Sequence, residues 1–561
     1  MKKYNLLKVL GIAIIAVWIL TLFVPGSQLD YTGNVVKGNI SSVGIWGLFS
    51  NLSISISYFN GIAVFLVAIA CFYGILTKTE VYNNFVSKVA DTFKERTLVI
   101  ISILFFAILG MFVSDPVILV VFMPFIYQVF KKKETDNKVI LSSTIIASLI
   151  GGMANIYNST LFTLFGLKVN TLLVVKIILL VLSVAVLIFF IAPKNFHKTI
   201  VKKTTTKSKK NGKTTKVKAE TKKNSVKTIK KDEKNVNKTI YMILTLLFGC
   251  IGVNKLYAGK VKSFVLRLVF CWTLVPFILS LAEFITLLTE KADKEGKVPA
   301  TSKRRDNVLF GTSLVLFVLF VIGSIIPWES LINKLTIFSD FNKTLSGLKI
   351  GSYSVFNNVI GAPIMQDAQT GSSTGVMNVF GTFALTDVAI LLFILTIIIG
   401  LASKLKINDA ISSVTEKVKG ILPAAITAML ISIVLVIMVT TGINITISNW
   451  ILSWSKGFNV ITSTLASMFG SLLTADYYYF LSTIGNVFKG AIGKDYLGVT
   501  AFIMQSVHYL TMMIAPTSAM LIIGLYYLDV PFTKWFKYIW KVLLSILVII
   551  LVIAIIIYAL V

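Results

Sequence analysis

Apolar runs set the class of this chain before any other feature is weighed. Stretches of about 20 apolar residues, the length needed to cross a bilayer core, recur from Leu7 to Val24 at one end to Phe532 to Leu560 at the other. Hydrophobic residues make up 56% of the 561 positions, and the mean hydropathy is +0.85. A soluble protein of this length could not hide that much apolar surface. The expected fold class is all-α: a polytopic membrane protein whose helices satisfy their own backbone groups in lipid.

Several of these runs are interrupted, and the interruptions carry the functional argument. The stretch Gln505 to Leu521 lies inside an apolar segment yet holds Gln505, His508, Pro516, Thr517 and Ser518. Proline removes a backbone donor and leaves a carbonyl unpaired. In hydrocarbon such a defect is tolerated only where protein or a wet cavity satisfies it. A partner break is expected at Gly151 to Thr160, which holds Gly151, Gly152, Asn155, Asn158, Ser159 and Thr160. Two further interruptions stand at Gly110 to Pro116, with Asp115, and at Gly470 to Asp476, with Ser471, Thr474 and Asp476. Leu98 to Phe130 has basic residues at both ends, so it reads either as two full spans or as a hairpin that dips in and returns.

Charge reports topology. The net charge of +30 is concentrated in Lys194 to Lys238 and Lys291 to Arg305. Basic loops stay in the cytoplasm, which places the N-terminus there and the chain, multi-pass, in the cell membrane, a bacterial plasma membrane. The first span, behind Lys2 and Lys3, is followed by no small-x-small cleavage site and is read as retained. Val81 to Thr97 suits an amphipathic helix on the cytoplasmic face. Lys194 to Asn237, dominated by Lys, Thr, Asn and Ser, cannot bury enough surface to offset ordering and is expected to be disordered. No aromatic residues alternate with its lysines to stack on bases, so no nucleic acid is expected; anionic membrane lipids are the expected surface partner.

Other chemistries find little support. Cys71, Cys250 and Cys271 lie in apolar runs without Cys-x-x-Cys spacing, and the chain has two histidines. No metal site and no cofactor is expected. No phosphate-binding loop points to ATP as an energy source. No nucleophile–base pair suggests an enzyme.

The chain divides into 1–193, a first transporter half; 194–237, a basic cytoplasmic linker; 238–290, a two-helix insert; 291–306, a second basic linker; and 307–561, a second half with an extracytoplasmic loop at 327–383. Gly74 to Lys78 and its amphipathic follower resemble Gly400 to Lys404 followed by Lys406 to Lys419. Each leads into an interrupted hairpin and a broken span. With one additional crossing between them, this is the pattern of an inverted-topology repeat around one central site.

Residues 1–193 and 307–561 resemble the YfcC/DcuC family of bacterial carriers within the ion transporter superfamily. The matching features are Val24-Pro-Gly-Ser-Gln-Leu-Asp30, Gly110-Met111 with Pro124, Gly151-Gly152 leading to Asn158, Gln505, Ile514-Ala-Pro-Thr-Ser518, Gly524, Val530-Pro531 and Lys534-Trp535. The resemblance implies re-entrant hairpins, broken helices and ion-driven uptake or exchange of carboxylates or amino acids. The expected partners are a small-molecule solute and a sodium ion or proton, and a homodimer is among the expected assemblies. The tips Gly110 to Asp115 and Gly470 to Asp476, and Gln505 to Tyr509, depart from the family's pattern at positions that would touch solute. Either the solute differs, or transport is lost and the chain serves as a scaffold or sensor. Phe248 to Lys260 resembles the Gly-x-x-Gly-x-His-x-Phe-Tyr-x-Gly motif of the two-transmembrane-helix domain family, with Asn254 for the usual His and Glu283 near the usual acidic position.

On this reading Asn155, Asn158, Ser159, Thr160, Gln505, His508, Pro516, Thr517 and Ser518 bind solute. Asp115, Gly151, Gly152, Ser471, Thr474 and Asp476 couple the ion. Each has a plainer alternative. The glycines suit close helix packing, the two aspartates suit helix N-caps, and Pro516 suits a kink whose freed groups Thr517 and Ser518 satisfy. His508 also fits a neutral buried ring. Lys262 and Arg267 are expected at the lipid interface.

Overall fold

The computed structural model describes residues 4–30, 34–38, 42–156, 159–167, 172–192, 235–271, 275–300, 303–332, 335–347, 349–354, 365–366, 373–374, 379–403 and 405–561. They form two compact units, Met1–Ala192 with Leu314–Val561, and Pro193–Ser313. The protein is an all-α polytopic membrane protein. Among the described residues, five helices are long and apolar enough to cross a membrane, and a sixth span is counted if the bent pair Ile45–Ile56 and Asn60–Leu76 is one.

The larger unit contains the interrupted segments in two similar series. In the first, the helix Glu95–Phe112 stops at an extended turn, residues 113–115, and a 3-10 helix, Pro116–Phe122, leads into Met123–Lys131. The next apolar helix, Asn137–Met153, contains a π-turn at Ser142–Ile146, breaks at 154–156, and helix is present again at Ser159–Phe165. In the second series, Val460–Leu473 stops at residues 474–476, and Tyr477–Phe480 begins the following arm. The helix Leu497–Met512 breaks at 513–518 and resumes at Ala519–Tyr527. In each series the first arm packs along the first half of the broken helix, Glu95–Phe112 on Ala147–Met153 and Val460–Leu473 on Leu497–Met512. The broken helices pack on each other through Ala147–Met153 and Leu497–Met512.

Small residues make that approach close. A Cβ on Gly151 would lie 2.3 Å from Ala107 O and 2.7 Å from the Cα of Gly110. One on Gly152 would lie 2.8 Å from the Tyr509 ring. The expectation that Gly151 and Gly152 unwind the helix is therefore corrected. The helix continues to Met153, and both glycines serve backbone-to-backbone or backbone-to-ring packing.

Two scaffold helices are long and continuous. Ile45–Leu76 is one helix bent by 51° between Ile56 and Asn60. Lys406 to Lys419, the amphipathic follower of the second repeat, runs on into one 35-residue helix, Ile407–Thr441, with Pro423 inside it. A proline forfeits one intrahelical bond, and packing along the bent helix compensates; Ser413 Oγ donates to Gly74 O at 2.7 Å. The Pro25-Gly26-Ser27 turn docks on the end of this long helix. A Cβ on Gly26 would fall 1.8 Å from Thr441 O, and Ser27 N donates to Gly442 O at 3.2 Å. In the loop after Ile326, Glu329 accepts from the Ser339 hydroxyl and from Ser339 N, which holds its carboxyl below the usual range.

In the smaller unit, strand Asn235–Asn237 pairs antiparallel with Lys297–Pro299. It stands beside helices Lys238–Phe248, Val253–Tyr257, Val261–Val269 and Val275–Thr289. Val236, Tyr241, Leu287 and Val298 pack together in its core. The strand corrects the linker boundary: residues 235–237 and 297–299 belong to the folded domain. Residues 193–234, the rest of the expected disordered linker, lie outside the described residues.

Close packing at Gly151 predicts that Gly151→Ala lowers stability in detergent by about 1–3 kcal/mol, the usual cost of overpacking. Gly11→Ala, with nothing within 4 Å of the added Cβ, serves as control and should leave thermal unfolding unchanged or raised. Equal unfolding temperatures for the two variants would contradict the backbone contact.

Candidate functional site

The four interruptions meet at one cavity of about 370 Å³ in the larger unit. The first turn contributes Ser114, Asp115, Pro116 and Val117, and the second contributes Ala475, Asp476, Tyr477 and Tyr478. The breaks contribute Asn155 on one side and Thr517, Ser518, Ala519 and Met520 on the other. His508, Tyr509 and Met512 form a wall, and Ile431, Ser432, Val434 and Leu435 of the long helix close another.

Asp115 Oδ1 accepts from Val117 N at 2.9 Å, and Asp476 Oδ1 accepts from Tyr479 N at 3.0 Å. Each is a helix N-cap, and each also lines the cavity. They are the charged side chains among the described lining residues. His508 is buried, its Nδ1 lies 3.1 Å from Ser471 Oγ, and its ring centroid is 4.8 Å from that of Tyr477 and 4.9 Å from that of Phe480.

The second break is held from two directions. Thr517 Oγ1 donates to Leu472 O at 2.9 Å, tying the break to the end of Val460–Leu473. Trp535 Nε1 donates to Met513 O at 3.0 Å, satisfying a carbonyl left over where the helix stops. Ser518 then caps Ala519–Tyr527 by accepting from Leu521 N at 3.4 Å. Pro516 shapes this turn and does not line the cavity.

Thr474 and Gln505 stand behind the wall, and Asn155, which lines the cavity, bonds back to Gln505. Thr474 Oγ1 accepts from Asn444 Nδ2 at 3.0 Å, so the helix Ile443–Leu452 anchors the second turn through a buried face. Gln505 Nε2 donates to Gly152 O at 3.1 Å and to Asn155 O at 2.7 Å. Asn155 Nδ2 donates to Val113 O at 2.5 Å, so it clamps the first turn. Ser159 and Thr160 begin the resumed helix, with side chains outside the description, and Asn158 lies outside the described residues.

One residue that the sequence reading passed over is central. Lys176 sits in the apolar helix Leu173–Ile191 and is 1% exposed. Its Nζ donates to Asn155 O at 2.7 Å and to Gln505 Oε1 at 2.8 Å. The signal was available: an ionisable residue inside an apolar span marks function or a partner.

The smaller unit has its own polar centre. Glu283 is buried and pairs with Lys255 through Oε1 and with Arg267 through Oε2 at 2.8 Å. Tyr241 OH donates to Glu283 at 2.5 Å and Asn254 Nδ2 at 3.0 Å. Arg267 also donates to Gly249 O at 3.0 Å and to Ser280 Oγ at 3.1 Å. Arg267 is therefore buried and paired, which corrects its expected place at the lipid interface; Lys262 is exposed. Asn254, standing where the motif has a histidine, supplies a neutral donor to the carboxylate.

These features define a polytopic α-helical membrane protein with a discrete inserted domain. Residues 234–285 match the TM2 domain family, so the chain carries a TM2 domain. A 52-residue stretch is 40% identical to the uncharacterized membrane protein YozV of Bacillus subtilis (strain 168), over 9% of this chain and 66% of that protein's length. The two-helix resemblance of the insert is thus supported. The YfcC/DcuC carrier resemblance of the flanking residues is not confirmed by these matches.

Removing Glu283 would leave Lys255 and Arg267 buried without a counter-charge. Glu283→Gln should destabilise the inserted domain by about 3–5 kcal/mol, the usual cost of breaking a buried pair. Hydrogen exchange at Val275–Thr289 in the full chain reads this directly, with protection lost in the variant. Unchanged protection would show that the charges do not depend on one another.

Proposed function

We propose that the protein is a secondary carrier for a small carboxylate-bearing solute, and that an amino acid suits its cavity better than a simple organic anion. The observation that supports this is the cavity where both turns and both helix breaks converge. A site at the meeting of discontinuous helices is where carriers hold solute, with alternating access on either side.

The lining chemistry favours a zwitterion. Asp115 and Asp476 would repel a plain anion, and no lysine or arginine is among the described lining residues. An ammonium group pairs with those carboxylates, each of which uses Oδ1 for capping. A solute carboxylate is placed best at the N-terminus of Ala519–Tyr527, where free backbone N–H groups and the helix dipole favour negative charge. The energy source on this reading is a sodium or proton gradient across the cell membrane. The alternative reading, a non-transporting scaffold or sensor, draws on the TM2 domain and the lysine-rich segment before it.

Uptake of a labelled amino-acid mixture into proteoliposomes tests the reading. Saturable accumulation under an imposed ion gradient is expected. Asp476→Asn should reduce it at least about tenfold, since one charge-assisted contact is worth roughly 1.5–3 kcal/mol. Failure of the purified, folded protein to accumulate any member of the mixture under either gradient would favour the scaffold.

A further inference from the structure

The oxygens exposed by the first break already have an amine nitrogen beside them. Asn155 O and Gln505 Oε1 accept from Lys176 Nζ at 2.7 and 2.8 Å. The ring centroid of Phe162 lies 4.7 Å from the same nitrogen. Among the described residues, no carboxylate forms an ion pair with Lys176. The ammonium is thus held by a backbone carbonyl, an amide oxygen and an aromatic face. Neutral oxygens are also what a hard cation takes, and an aromatic face adds attraction for a positive charge.

We propose that Lys176 Nζ is the resident cation of the first break, and that sodium has no site there. A sodium ion at Asn155 O would share its ligand with an ammonium, and two unit charges that close repel strongly in a protein interior. Lys176 also joins three elements, because Gln505 carries the same network to the second broken helix. The sequence pattern at Gly151 to Thr160 suggested oxygens for a coupling ion, sodium or a proton, or for solute; the tethered ammonium takes the place a sodium ion would have. The inference deepens the carrier reading by removing sodium as a co-substrate at this break. Occupancy of the break can nevertheless be measured without transport.

The full chain in detergent is unfolded thermally at fixed ionic strength while choline is replaced stepwise by sodium. Lys176→Met should unfold at a lower temperature in choline and recover by a few degrees, saturably, as sodium fills the vacated oxygens, beyond any response of the wild type. Lys176→Arg, which keeps the charge, should respond to sodium no more than the wild type does. A folded Lys176→Met whose sodium response does not exceed that of the wild type overturns the proposal. Where Lys176→Met does not fold, Lys176→Gln takes its place in the same comparison. A protein that takes up no solute, yet whose variant alone responds to sodium, removes the carrier reading and keeps this one.

Discussion

A peptide group cut off from its helix, in surroundings without water, must find another partner. This requirement organises the larger unit. At the first break, Gly152 O and Asn155 O are taken by Gln505 and Lys176, and the turn carbonyl of Val113 by Asn155. At the second, Met513 O is taken by Trp535 and Leu472 O by Thr517. Each unsatisfied group in an apolar interior costs several kcal/mol. The side chains that remove this cost also bind the breaks to neighbouring helices, so the polar network and the packing are one device.

The same rule appears in the TM2 domain with charges in place of peptide groups. Glu283 is surrounded by Lys255, Arg267, Tyr241 and Asn254, each directed at one carboxylate. Such a cluster gives modest net stability, since desolvation offsets much of the attraction, but it is intolerant of losing a member. It explains why a domain of short helices has a defined interior around polar side chains, beside an apolar cluster that includes Val236 and Leu287.

Much of the architecture could be read from the chain. Helix breaks at 154–156 and 513–518, and the turns ending at Asp115 and Asp476, fall inside the stretches where polar residues and proline interrupt apolar runs. Asp115, Asn155, Asp476, His508, Thr517 and Ser518 share one cavity. The roles of Gly151 and Gly152 were not legible, because a glycine pair looks the same whether it unwinds a helix or admits a neighbour. Only the neighbours separate the two: an added Cβ would fall 2.3 Å from Ala107 O at Gly151 and 2.8 Å from the Tyr509 ring at Gly152. Continuity was also hidden: nothing local distinguishes an amphipathic piece beside a span from the single helix Ile407–Thr441, in which Pro423 is tolerated because neighbouring helices hold the segment.

By itself the sequence determined the class, the number of interruptions and the presence of an inserted domain, because hydropathy, proline and motif spacing act over a few neighbouring residues. The tertiary structure decided which polar groups face one another. Lys176 stands 21 positions from Asn155 and 329 from Gln505 along the chain. Their meeting depends on how helices pack, a property of contacts across the fold that no local pattern carries.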